Sequence, residues 1–161
     1  MTLDHPDILE TLTMTWSSQA DCAAFARSLA HRSALGQACI ELHGPLGAGK
    51  TTFVRHLLRE LGVEGRIKSP TYAVLEPYRV NDLDISHLDF YRFEDPREWA
   101  DAGLRDVFAQ PGLKLVEWPD KAQGQLPLPD LRLFIEPDAQ GETRQVRAEA
   151  LSATGMALLA T

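Results

Sequence analysis

One stretch constrains this chain more than any other. Gly44-Pro45-Leu46-Gly47-Ala48-Gly49-Lys50-Thr51 follows a short apolar run, Ala38, Cys39, Ile40 and Leu42, and precedes a segment of helical periodicity, Thr52 to Leu61, that stops at Gly62. Strand, glycine-rich loop and helix in that order form a phosphate-binding P-loop when the loop reads Gly, four residues, Gly-Lys-Thr. The glycines let backbone amides turn inward on an anion, and the helix that follows points its positive end at it. A lysine there reaches β and γ oxygens, and a threonine hydroxyl is a ligand for Mg²⁺. Gly44 to Thr51, with Thr52 after it, is therefore the expected nucleotide cradle, with Lys50 on the phosphates and Thr51 on the metal.

Such a unit belongs in an α/β fold, and the flanking segments supply the rest of a sheet. Leu9, Leu12, Met14 and Trp16 alternate as an edge strand does. Ser18 and Asp21 mark the start of a helix reaching about Ala34, with Cys22, Phe25, Ala26 and Leu29 as its apolar stripe. Tyr72 to Val80 and Leu83 to Phe90 flank Asn81-Asp82 as a hairpin, which makes part of the sheet antiparallel. Asp95-Pro96-Arg97-Glu98 reads as a helix start. Leu113 to Glu117 is a buried strand closed by Trp118-Pro119. Leu131 to Glu136 and Arg144 to Ala148 are a last strand pair, before an Ala-rich terminal helix. With 161 residues the expectation is one P-loop domain over 1–161: three layers, a mixed parallel and antiparallel sheet between helices.

A P-loop needs carboxylates on neighbouring strands. Ile85-Ser86-His87-Leu88-Asp89 ends a strand with one, so Asp89 is the Mg²⁺ candidate, the alternative being a turn cap or a pair with Arg92. Glu117 ends the next buried strand, where open α/β sheets place their ligands, and is the candidate base for hydrolysis, unless it lies on an exposed loop. His87 reads as a packed or hydrogen-bonded residue and Trp118 as core or interface. Thr71, in Lys68-Ser69-Pro70-Thr71-Tyr72, reads either as a γ-phosphate sensor or as part of a turn entering a strand. A guanine-reading Asn-Lys-x-Asp element is missing: Asn81-Asp82-Leu83-Asp84 has Asp at the second position and lies in the hairpin turn. Asp138-Ala139-Gln140-Gly141 comes too late to be a switch. ATP is the expected nucleotide.

Several segments, in order and with small spacers, then resemble one family: Leu46 to Phe53, Lys68 to Tyr72, Glu76-Pro77-Tyr78, His87 to Arg92, and Val116-Glu117-Trp118-Pro119. From about residue 17 to 137 the chain resembles TsaE, the bacterial ATPase of tRNA threonylcarbamoyladenosine synthesis. The resemblance implies slow ATP hydrolysis alongside TsaB and TsaD, with tRNA engaged only through that assembly. It also implies Mg²⁺ at Asp89, hydrolysis by Glu117 and a switch-like Thr71, so that the expected site has Thr51, Asp89 and Glu117 on the metal and Glu117, Lys50 and Thr71 as its catalytic residues. A small-molecule or nucleotide kinase and a non-hydrolysing nucleotide sensor are the competing readings.

Composition narrows partners. A formal charge of −7 opposes direct nucleic-acid binding, which depends on neutralising phosphates. Two cysteines, Cys22 and Cys39, without disulfide or metal spacing suit a reducing cytoplasm. No apolar run approaches a membrane span and residues 1–10 lack the pattern of a signal peptide.

Overall fold

A computed structural model describes residues 6–70, 73–95, 97–98 and 103–160. Seven strands form a mixed sheet: β1 (Glu10–Trp16), β2 (Cys39–His43), β3 (Leu75–Val80), β4 (Leu83–Asp89), β5 (Leu113–Glu117), β6 (Leu131–Pro137) and β7 (Arg144–Ala150). They lie in the order β1-β7-β6-β2-β5-β4-β3. The centre, β6-β2-β5-β4, is parallel. Antiparallel β7 and β1 extend one side and β3 the other. The mixed α/β architecture expected from the sequence is thus present. No helix among the described residues is long and apolar enough to cross a membrane.

The helices bounded within the described residues are α1 (Gln19–Ala30), α2 (Lys50–Glu60), α3 (Leu104–Ala109) and α4 (Ala153–Leu159). Most of the apolar core lies on one side of the sheet. There Ala26 and Leu29 of α1 and Phe53, Val54, Leu57 and Leu58 of α2 meet Ile40, Leu42, Leu115, Leu133 and Val146 of the strands. The four α2 side chains are fully buried, each contributing roughly 1.5–3 kcal/mol to folding. A smaller cluster, Leu88, Phe90, Phe93, Leu104, Val116 and Ala122, forms separately around the last turns of β4 and β5.

Several boundaries differ from the pattern in the sequence. The helix expected to run from Ser18 to about Ala34 ends at Ala30, and Ser33–Gln37 is a separate 3-10 turn. Leu29 and Leu35 are both buried, yet six residues apart they would point to different faces of one unbroken α-helix, so the chain must break to bury both. Ser18 makes no side-chain cap, and Asp21 instead accepts from the Ser17 amide at 2.7 Å. Helix α2 starts at Lys50, two residues before the expected Thr52. Strand β3 starts only at Leu75, after Val74 with φ +69°, while Tyr72 lies outside the described residues. The hairpin turn is as expected, with Asn81 and Asp82 both left-handed (φ 50° and 65°), the geometry that matches strand twist. At Asp95, Oδ1 accepts from the Arg97 amide and Glu98 Oε1 accepts from the Asp95 amide, a reciprocal helix-start pair. Most of the helix they announce lies outside the described residues. Helix α3, entered through Gly103, was not expected.

The terminal helix is tied down by specific bonds. Ser152 Oγ accepts from the Gly155 amide at 3.1 Å and donates to Asp130 Oδ1 at 2.7 Å. Gly155 lets α4 approach so closely that a Cβ there would fall 1.9 Å from the Asp130 carbonyl oxygen. Gly155→Ala should therefore lower stability by about 2 kcal/mol or more through forced separation of packed backbone. Urea unfolding should show a lower midpoint at unchanged slope.

Candidate functional site

The parallel register decides which residues meet. Leu42 lies opposite Glu117 between β2 and β5, and Glu117 lies opposite Asp89 between β5 and β4. Both carboxylates therefore come to the strand ends where β2 turns into the glycine loop. They are buried there, Asp89 at 5% and Glu117 at 2% exposure. Asp89 and Glu117 thus meet as the sequence led us to expect, and Glu117 is not on an exposed loop.

The loop's glycines are needed for their backbone. Gly44 has φ +152° and packs against Ile135, whose carbonyl oxygen would lie 2.4 Å from a Cβ. Gly49 precedes α2 in the left-handed region, at φ +111°. The Ala48 amide turns back to the Pro45 carbonyl at 3.0 Å. The loop opens on a cleft of about 570 Å³ lined by Leu46 to Thr52, Asp89 and Glu117, among others.

Three side chains converge from separate elements. Thr51 Oγ1, in the first turn of α2, lies 3.0 Å from each Glu117 carboxylate oxygen. His87 Nε2, from β4, is 2.6 Å from Glu117 Oε2. Asp89 Oδ1 accepts from the Tyr91 amide at 2.8 Å. Lys50 is nearly buried, donates to the Gly44 carbonyl, and holds its ammonium 3.5 Å from the centroid of the Trp118 ring. Cation–π attraction of this kind is worth roughly 0.5–2 kcal/mol. Burial lowers the Lys50 pKa from the usual lysine value, against the opposing pull of Glu117, Asp89 and Asp120. Burial raises the Asp89 pKa above the usual carboxylate range; the Tyr91 amide opposes this, and the nearby Glu117 charge adds to it.

Trp118 was expected in the core or an interface. It lies half-buried, packed against the smaller apolar cluster as expected and also lining the cleft, left-handed at φ 56°, with Tyr91 5.0 Å away between ring centroids. Thr71 lies outside the described residues. Other cleft residues had no signal in the sequence. Trp16, Ser18, Gln19 and Cys22 come from the junction of β1 with α1, and Gly141, Glu142 and Arg144 from the turn between β6 and β7. Arg144 Nε donates to the Ala48 carbonyl at 2.7 Å and its Nη1 to the Gly141 carbonyl at 2.9 Å, so it braces the loop from ninety-six residues away. An Arg opening a predicted strand carries no mark of that contact.

A glycine loop between a parallel strand and a helix, with carboxylates at the ends of adjacent parallel strands of a mixed sheet, defines an α/β protein with its cleft at the strand ends. The family model described as threonylcarbamoyl adenosine biosynthesis protein TsaE matches residues 16–146, and the chain belongs to that family. It is 43% identical over 97 residues to the tRNA threonylcarbamoyladenosine biosynthesis protein TsaE of Haemophilus influenzae, covering 60% of this chain and 61% of that one. It is 39% identical over 97 residues to the Bacillus subtilis protein of the same name, covering 60% of each. The matched segment thus spans about three-fifths of the length of these relatives. A crystal structure of Bacillus subtilis YdiB superposes with a TM-score of 0.75 at 27% identity, over 94% of this chain and 93% of that one.

The upward shift at Asp89 has a measurable sign. Its charged form is penalised in the folded state, so the penalty is absent below the unfolded pKa near 3.8 and complete above the raised folded value. Asp89→Asn should raise the melting temperature at pH 7 in metal-free buffer. The gain should shrink towards zero as the pH falls below about 4, and thermal scans across that range check it.

Proposed function

We propose that this chain binds ATP with Mg²⁺, hydrolyses it slowly, and serves as an accessory ATPase in the threonylcarbamoyladenosine modification of tRNA, together with TsaB and TsaD. One observation carries the chemical part: the Thr51 hydroxyl, at the head of the glycine-loop helix, meets Glu117 at 3.0 Å, with Asp89 in register beside Glu117. Membership of the TsaE family and the names of the relatives support the biological part. The charge of −7 suits a protein that acts on tRNA through partners rather than by holding it.

The donor set fits the metal. A hydroxyl and two carboxylates are hard oxygen ligands of the type Mg²⁺ takes, usually beside retained waters and substrate phosphates. Thr51, Asp89 and Glu117 would hold it, and when bound it neutralises charge building on the phosphates. Loop amides from Gly44 to Thr52 and the Lys50 ammonium bind and orient the β and γ phosphates. For Lys50 to do so, its ammonium leaves the Gly44 carbonyl. Glu117, buried beside Thr51 at the cleft, orients a water and takes its proton as the water oxygen bonds to the γ phosphorus. The bond from that phosphorus to the β–γ bridging oxygen breaks, leaving ADP and phosphate. Thr71 is assigned to sensing the γ phosphate, on the family resemblance.

Two substitutions separate binding from chemistry. Lys50→Ala should weaken Mg-ATP binding by about 10- to 100-fold, the value of a hydrogen bond to a charged group, as read by Trp118 fluorescence. Glu117→Gln should lower turnover by about 10²- to 10⁴-fold, a larger effect than its loss of Mg-ATP affinity, because the amide keeps an oxygen for the metal but cannot take the proton. Unchanged turnover in Glu117→Gln would remove it as the base. In a reconstituted modification assay, Lys50→Ala should fail to support the TsaB–TsaD pair, and support equal to wild type would refute the accessory role.

A further inference from the structure

His87 is the buried titratable group that this chemistry leaves unused. It is fully buried on β4, between Ile85 of the apolar core and Asp89 of the cleft, on the side of the sheet that α2 covers. Its strand partner on β5 is Leu115, two residues before Glu117, so the ring reaches Glu117 diagonally. The contact is short, 2.6 Å from Nε2 to Oε2. A carboxylate only accepts there, so Nε2 carries the hydrogen and donates it. Nδ1 is buried and has no hydrogen-bond partner among the described residues. The ring's polar capacity is therefore committed to Glu117 alone. A histidine kept for the core would gain nothing over an apolar side chain at this position and would leave a buried nitrogen unsatisfied.

We propose that His87 is a positioning residue, which fixes one oxygen of Glu117 so that the other faces the reacting water. Glu117 has two described side-chain partners, Thr51 from α2 and His87 from β4. The Thr51 hydroxyl is the group that the proposed nucleotide and its metal would draw away. His87 lies beneath the carboxylate, outside the cleft lining, and keeps its hold when the cleft fills. It locks the carboxylate rotamer at that stage, the second tier of support that reactive carboxylates and metal ligands depend on. Glutamine, whose amide donates from a similar reach, would hold Oε2 as well; phenylalanine would fill the space without holding it.

This rests on the reading of Glu117 as the hydrolytic base. The test compares wild type, His87→Phe and His87→Gln as full-length proteins, with single-turnover and steady-state ATP hydrolysis and Mg-ATP affinity from Trp118 fluorescence. His87→Phe should lower kcat by about 10- to 100-fold. KM and Mg-ATP affinity should stay within about twofold, and His87→Gln should recover kcat to within about fivefold of wild type. A crystal structure of ligand-free His87→Phe should show Glu117 displaced from its contact with Thr51. Wild-type kcat in His87→Phe, equal loss in both variants, or a change confined to KM overturns the positioning role. Absence of turnover in wild type overturns the proposed hydrolysis itself, and this role with it.

Discussion

Parallel pairing at the centre of the sheet, β2 to β5 and β5 to β4, is the constraint on which the site depends. Because hydrogen-bonded strands cannot slide by one residue without turning every side chain to the other face, the register that buries Ile40, Leu42, Leu113 and Leu115 also sets where the strands end. Asp89 and Glu117 are held level with each other by the same ladder that builds the core. The glycine loop leaves β2 at that level, and α2 returns Thr51 over Glu117.

Placing charge there has a cost that neighbouring groups offset in part. Lys50, Asp89 and Glu117 are nearly removed from water, and burial disfavours the charged forms of Lys50 and Asp89. Each is compensated locally: Lys50 by the Gly44 carbonyl and the Trp118 ring, Asp89 by the Tyr91 amide, Glu117 by Thr51 and His87. The apolar face of α2, four fully buried side chains directly behind the loop, anchors the element carrying Lys50 and Thr51. Cleft and core thus share one helix: its first turn faces the cleft and the rest holds it in place.

Much of this was legible before any coordinates. The glycine loop, the short apolar runs of β2 and β5, the Asn81-Asp82 turn and the strand-ending Asp89 and Glu117 are local patterns, and local backbone chemistry decides them. The misread features involve competition between distant groups. Helix α1 stops early because Leu29 and Leu35 must both reach the core, which its own periodicity does not reveal. Trp118 packs on the smaller apolar cluster as expected, but its place beside Lys50 depends on a contact with another element that the sequence does not mark.

By itself, the amino-acid order determined the fold class, the glycine loop and the two strand-ending carboxylates, because glycine spacing and apolar runs are written within a few residues. Only the tertiary structure decided that His87 holds Glu117, that Arg144 braces Ala48, and that Trp16 and Gly141 wall the same cleft. Those contacts join residues 30 to 96 positions apart, or elements that meet only once the sheet is assembled. A long-range hydrogen bond leaves no periodic mark on either partner, so its geometry first appears when the strands pair.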